Sequence, residues 1–299
     1  MTSNPDRAWY RGGLTALVAC LVLGMVGGIY VHDQKTSRQL AARNLAHNFA
    51  LRLSLRTHET VSPAYMLGAM VKQNQGSLSE FNQLAAELLQ EFPLARALEL
   101  APAGVVQQVY PRRGNEAILG HDLLKDRARN WEAHLALSKR QLMLAGPFEL
   151  LQGGRGLVGR YPIFLPNAAG KSVFWGFSIV LIHLDELLAN SGVMDFNRAG
   201  FAYQLCRVRP AVEPAACEPF AGSGGAGISQ PLLVLIDLPN NRWQLSLAPA
   251  NGWISAAQWI GLLIAVIGGS LLAGLIHVQL IRQSDSVTER RAGSVSQEG

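Results

Sequence analysis

Two long apolar runs free of Asp, Glu, Lys and Arg bracket this chain, residues 12–31 near one end and 253–281 near the other. Each reaches the roughly 20 residues that a helix needs to cross the hydrocarbon core of a bilayer. Arg7 and Arg11 precede the first run, and Arg282, Arg290 and Arg291 follow the second. The positive-inside bias therefore places both ends in the cytoplasm and everything between the runs outside it. Charge within that middle stretch carries little orientation information, because long loops translocate largely regardless of it.

The first run has two competing readings. Leu17, Val18, Ala19 and Cys20 resemble a lipoprotein cleavage box, and Val26 with Gly28 suits a signal-peptidase site. The chain stays apolar well past Cys20, however, and the run is long for a signal sequence's apolar core of about 7 to 15 residues. An uncleaved span is expected.

Charged residues make up 16% of the chain, sparse against the roughly 25% of an average soluble domain, and the two runs account for much of the deficit. A net charge of +5 would allow nucleic-acid binding, but the basic residues are scattered and form no stripe interleaved with aromatics. No nucleic-acid partner is expected. The stretch between the runs is long enough for one large core or two small domains. Of the three cysteines, Cys20 lies inside the first run, leaving Cys206 and Cys217 as the outer pair. An oxidising compartment and the intervening Pro210 and Pro214 favour a disulfide between them.

From the first run onward, Leu45, Phe49 and Leu53 recur every fourth position beside Ala42, Ala46 and Ala50, which predicts a stalk helix. Ser77 and Glu80 have the spacing of a capping box that would open a second helix running to Pro93. The period then changes to two, with short strands over 97–100 and 105–110, and Asp126 is expected to cap a helix reaching about residue 140. Strands follow over 141–150, 157–165 and 173–183, then a short helix over 184–190. A smaller unit continues with strands at 201–208, 232–238 and 243–247. The expected class is α+β: a long N-terminal helix and tandem PAS-like antiparallel sheets between two transmembrane helices. The expected boundaries are 1–11 cytoplasmic, 12–31 first span, 32–76 stalk, 77–190 membrane-distal unit, 191–252 membrane-proximal unit, 253–281 second span and 282–299 cytoplasmic tail.

Catalytic motifs are few. Gly154, Gly156 and Gly159 satisfy G-x-G-x-x-G, but Pro162 in the β-rich run that follows opposes the helix that a phosphate cradle requires. The seven histidines have no metal-ligand spacing, and no nucleophile elbow, zincin or Walker sequence occurs. Glu116, Asp122 and Glu149 would form an acid–base set only if the fold gathered them. Neither a metal nor a cofactor nor enzymatic activity is expected.

A set of stretches in order carries a resemblance: APAGVV at 101–106, VYP at 109–111, GNE at 114–116, GHDLL at 120–124, AGP at 145–147, QGGRG at 152–156, GRYPIF at 159–164 and FWGF at 174–177. Together they resemble the CHASE domain, the extracellular sensory domain of bacterial sensor kinases and cyclic-di-GMP enzymes and of plant cytokinin receptors. The resemblance covers roughly residues 70–195. It implies a long helix followed by two PAS-like units, the membrane-distal one holding a small ligand. Members of the family usually continue into a kinase, cyclase or phosphodiesterase. Residues 282–299 are far fewer than the roughly 50 of a small domain, so the output module is expected on a partner chain or to be missing.

Ligand-contact candidates are the aromatic and polar residues near the distal sheet and its helix: Tyr110, Trp131, Arg160, Tyr161, Trp175 and Phe177, with Asn115, Glu116 and Asp122 from the loop. Small residues recur every fourth position in both runs, at Ala16, Cys20, Gly24 and Gly28 and at Gly261, Ala265, Gly269 and Ala273. Such ridges favour close packing of the two spans, a homodimer or a partner's helix. The leading expectation is a sensor in the bacterial inner membrane that binds a small molecule outside and signals inward, working as a homodimer or with a kinase or diguanylate cyclase. A ligand-free envelope scaffold and an unrecognised envelope enzyme are the alternatives.

Overall fold

The computed structural model of the chain describes residues 5–295 other than 128–129, 152, 210–215 and 225–227. Two compact units result, Ala42–Ala250 and the paired terminal segments Met1–Ala41 and Asn251–Gly299. A single helix, α1 (Pro5–Gln73), belongs to both.

In the terminal unit, α1 and α6 (Ala256–Val295) are, among the described residues, the two helices long and apolar enough to cross a membrane. They pack antiparallel. A Cβ added to Gly274 would meet the Gly12 carbonyl oxygen at 2.9 Å and the Ala16 Cβ at 3.0 Å, and one on Gly269 would meet Leu23 at 2.8 Å. Gly12 likewise abuts Val278, and Gly27 abuts Leu262. The packed line on α1 is thus Gly12, Ala16, Leu23 and Gly27, which only partly matches the expected ridge. Gly24, Gly28 and Gly261 face away with nothing within 4 Å, because helical drift over three turns carries a strict four-residue repeat off the contact line. Arg282 sits over the Trp9 ring at 5.4 Å, and Arg38 donates to the Trp253 carbonyl at 3.3 Å. Helix α6 starts after Trp253, where Ser255 and Gln258 form a reciprocal cap: Gln258 N–H donates to Ser255 Oγ at 3.3 Å and Ser255 N–H to Gln258 Oε1 at 3.0 Å.

The remaining elements belong to the larger unit. Its first sheet contains β1 (Ala95–Pro102), β2 (Gln108–Tyr110), β3 (Met143–Glu149), β4 (Arg155–Pro166) and β5 (Ser172–His183) in the order β2-β1-β5-β4-β3, all antiparallel. Each of β1, β4 and β5 is apolar on both faces, as expected of strands covered on both sides. One face meets α1: Ser178 Oγ donates to the Ala64 carbonyl at 2.6 Å, Gly159 lies against Val61, and Gly68 lies against the Tyr161 ring. The other face carries a core of Val106, Val109, Ile118, Leu123, Ala133, Ala136, Phe177, Ile179 and Leu181, under α3 (Trp131–Lys139) and the loop before it.

Two expected caps are not made. Helix α2 (Phe81–Glu91) begins one residue after Glu80, with no side-chain cap bond. The turn that ends α1 at Gly76 (φ 94°) takes up the chain through Ser77, and Phe81 must enter the core. Asp126 precedes α3 by several residues and instead meets His121, with His121 Nε2 and Asp126 Oδ2 3.3 Å apart.

Helices α4 (Leu184–Asn190) and α5 (Met194–Arg198) lead to the second sheet, β6 (Phe201–Arg209), β7 (Ala216–Gly222), β8 (Leu232–Leu238) and β9 (Asn241–Pro249), ordered β7-β6-β9-β8. In β8, buried Val234, Ile236 and Leu238 alternate with exposed Leu233 and Leu235, the period-two signature of a strand covered on one face. Cys206 on β6 and Cys217 on β7 are joined as a disulfide, with Cα atoms 5.3 Å apart. The β8–β9 turn docks on the free edge of β3: Leu144 N–H donates to the Pro239 carbonyl at 3.3 Å, Asn240 Nδ2 to the Leu142 carbonyl at 2.6 Å and Asn241 Nδ2 to the Leu144 carbonyl at 3.0 Å.

Candidate functional site

Direct cross-strand partners lie on one face of a sheet. The register therefore defines a row through all five strands of the first sheet, from Val109 through Glu99, Ile179 and Arg160 to Met143. Glu99 and Arg160 are each 2% exposed and stand two strand spacings apart, roughly 10 Å between backbones. Two charged groups so deep in an apolar sheet are costly to desolvate and mark a place where polar chemistry is retained.

Both line a small cavity between the sheet and its cover. Ile118, His121 and Leu123 from the loop, Phe148 from β3, Leu150 and Leu151 just after it, and Val158 and Leu181 complete the wall. The cavity volume is about 20 Å³, enough for about one water molecule. The site thus combines an acid, a guanidinium and an imidazole with an apolar wall, and as it stands its own side chains nearly fill it.

The sequence candidates separate across the fold. Arg160 lines the cavity. Phe177 lies on the same face, fully buried and edge-on to Phe174 at 5.0 Å between centroids, as part of the core. Tyr161, the next residue after Arg160, points to the opposite face, where its hydroxyl accepts a bond from Lys72 Nζ at 2.8 Å and its ring lies 4.8 Å from that of Tyr65. Burial, with Tyr161 beside it, raises the Tyr65 phenol above its ordinary range. Trp175 packs against Gly76 at the turn after α1. Trp131 opens α3 and is 65% exposed. Tyr110 ends the edge strand β2.

The loop candidates hold the loop. Asn115 Nδ2 donates to the Pro111 carbonyl at 2.8 Å, Glu116 accepts from Gly114 N–H at 2.8 Å, and Asp122 accepts from Leu124 N–H at 3.1 Å and Lys125 N–H at 3.2 Å. The Lys125 ammonium, 2.9 Å from Asp122 Oδ2, holds that carboxyl below its usual range. Glu149, Glu116 and Asp122 are not gathered into one site. Among the described residues no cluster of three or more His, Cys, Asp or Glu is placed to hold a metal. Sequence reasoning missed Glu99 and His121. The signal for Glu99 was a lone acid in an otherwise apolar run, residues 97–101.

A long helix leads into five- and four-stranded antiparallel sheets, and helices long and apolar enough to cross a membrane stand at both ends of the chain. The family model of the CHASE domain matches residues 47–213, more than half of the chain, and the chain belongs to that family. Among solved structures, an extracellular ligand-binding receptor from Desulfohalobium retbaense DSM5692 matches at 14% identity and a TM-score of 0.54, over 69% of this chain and 40% of that one. This chain thus spans well under half the receptor's length, and the likeness concerns the fold. The extracellular domain of rpHK1S-Z16, named as a histidine kinase, matches at 14% identity with a TM-score of 0.46, over 72% of this chain and 95% of that one. The sensory domain of the Campylobacter jejuni chemoreceptor Tlp3 matches at 11% identity with a TM-score of 0.43, over 73% and 97%. No curated protein matches the chain in sequence.

Proposed function

We propose that this protein is a two-pass sensor of the bacterial cytoplasmic membrane whose first sheet, the membrane-distal unit, binds a small molecule. The signal passes through the membrane helices to a cytoplasmic output module. The observation that carries this reading is the buried Glu99 and Arg160 on one sheet row, both lining the cavity on the loop side of the sheet. A fold that needed only a core would replace both with apolar residues at no loss of stability. The chain acts as a homodimer, or with a kinase or diguanylate cyclase, and turns over no substrate itself.

The scaffold reading has one observation of its own, the small size of the cavity. Ligand entry requires the cover to move, which a scaffold does not. Thermal-shift screening of the full chain in detergent micelles separates the two readings, using a metabolite panel that includes adenine derivatives, the ligand class of the plant members. A ligand binding only the folded state stabilises it by about 2.7 kcal/mol at a hundred times its dissociation constant. A hit abolished by Arg160→Met supports the sensor. No shift across the panel, with the cavity still filled in a crystal structure, leaves the scaffold.

A further inference from the structure

We propose that Arg207 is a positioning residue that couples α3, which shares a core with the cavity-lining loop, to the second sheet. Its guanidinium joins three elements. Nη1 donates to Glu132 Oε1 on α3 at 3.1 Å and to the Gly146 carbonyl on β3 at 3.2 Å, while Nη2 donates to Glu218 Oε2 on β7 at 3.0 Å. The side chains of Arg207 and Glu132 are both only 16% exposed, so this ion pair is poorly screened by solvent. Arg207 and Glu218 are direct cross-strand partners, and the disulfide of the neighbouring Cys206 and Cys217 ties the same two strands together. The fork geometry of a guanidinium, with donors in two directions, is what lets one side chain serve both sheets.

The side of the cavity away from the sheet is the loop carrying Ile118, His121 and Leu123, and α3 packs on the same core as that loop. The opposite wall is the sheet itself, hydrogen-bonded on both sides at Ile179 and backed by α1 through Ser178. Ala133 and Ala136 seat α3 in the same core as Ile118, Leu123 and Val158, which line the cavity. A molecule larger than a water displaces Ile118, His121 and Leu123, and through the core they share with Ala133 and Ala136 it shifts α3 and Glu132. The pull falls on Arg207, whose strand β6 is hydrogen-bonded to both β7 and β9, and β9 is the last strand before α6. The coupling rests on the sensor reading for its purpose, yet its physical content can be tested without a ligand.

The test is hydrogen exchange by mass spectrometry on the full chain in detergent micelles, comparing the wild type with Glu132→Gln, Arg207→Gln and the double variant. Glu132→Gln alters only α3. If Arg207 couples the elements, exchange rises on the order of tenfold both in 131–139 and in the second-sheet peptides 201–209 and 216–222, the loss expected for one charge-assisted bond. The double variant then exchanges no faster than Arg207→Gln alone. An effect of Glu132→Gln confined to 131–139, additive effects in the double variant, or acceleration that extends equally to 155–166 and 172–183 each overturns the proposal. The ligand screen on the wild type decides the sensor reading separately, so the two fail independently.

Discussion

The Ser178 hydroxyl donates to the backbone carbonyl of Ala64 at 2.6 Å, a bond between the central strand of the first sheet and the middle of α1 that is fully buried at its donor. Replacing Ser178 by Ala removes a net contribution of about 1 kcal/mol. For a unit of this size that lowers the melting temperature by roughly 2 to 4 °C. Calorimetry of the S178A chain in micelles checks this, and an unchanged melting temperature would show that the bond contributes nothing.

The packing of the spans predicts a contrast between a glycine of α6 and one of α1. Gly274→Val drives a side chain into the Gly12 backbone and Ala16, whereas Gly28→Val enters open space. The first substitution should cost about 1 to 3 kcal/mol through overpacking and the second almost nothing. Cysteine crosslinking between positions 23 and 269 in native membranes reads the packing, and equal yields in both variants would refute this arrangement of the spans.

Reporter fusions test the orientation. A fusion at the C-terminus should report a cytoplasmic location and one at Gly224 an exported one, as Arg7, Arg11, Arg282, Arg290 and Arg291 direct. A mature N-terminus cleaved at or before Val31 would remove the first span.

The disulfide between Cys206 and Cys217 closes a loop with a sequence separation of 11, worth roughly 2 to 3 kcal/mol in the chain-entropy model. Peptide mass spectrometry of unreduced protein should find the two cysteines linked, and Cys217→Ser should lower the melting temperature. Free thiols in protein recovered from the envelope would rule the bond out.

Acid stability follows from Asp122. Its carboxyl is held low by the Lys125 side chain first, with backbone bonds to Leu124 and Lys125 helping. A group whose pKa is depressed on folding contributes stability above its unfolded value, roughly 4, and loses that contribution as the pH falls through the folded value. Asp122→Asn keeps the backbone acceptor and removes the titration. The variant's melting temperature should therefore decline less steeply than the wild type's below about pH 4, and parallel curves would refute the linkage.

Much of the first sheet was legible because β4 and β5 are long apolar runs bounded by turn residues, with Asn167 to Gly170 between them. Helix α4 was equally plain. Strand β7 was not, because Glu218 and Pro219 interrupt its apolar pattern and only pairing with β6 makes it a strand. The cavity was harder still. Period-two alternation says that Arg160 and Tyr161 face opposite ways, but not which face α1 will cover. That is settled by Gly159 and Gly68, which admit the helix on the Tyr161 side. Trp131, a ligand-contact candidate from its place beside the sheet, opens α3 with its ring largely exposed, which periodicity alone does not reveal.

The docking of Asn240 and Asn241 on Leu142 and Leu144 has a consequence for biosynthesis. Seen edge-on, the first sheet would otherwise end in β3, a strand with unsatisfied amide and carbonyl groups that recruits other chains into aggregates. That strand is synthesised about a hundred residues before the turn that shields it. During export the nascent protein therefore carries an unprotected sticky margin until its last hairpin arrives, and truncation before residue 239 leaves the margin open for good.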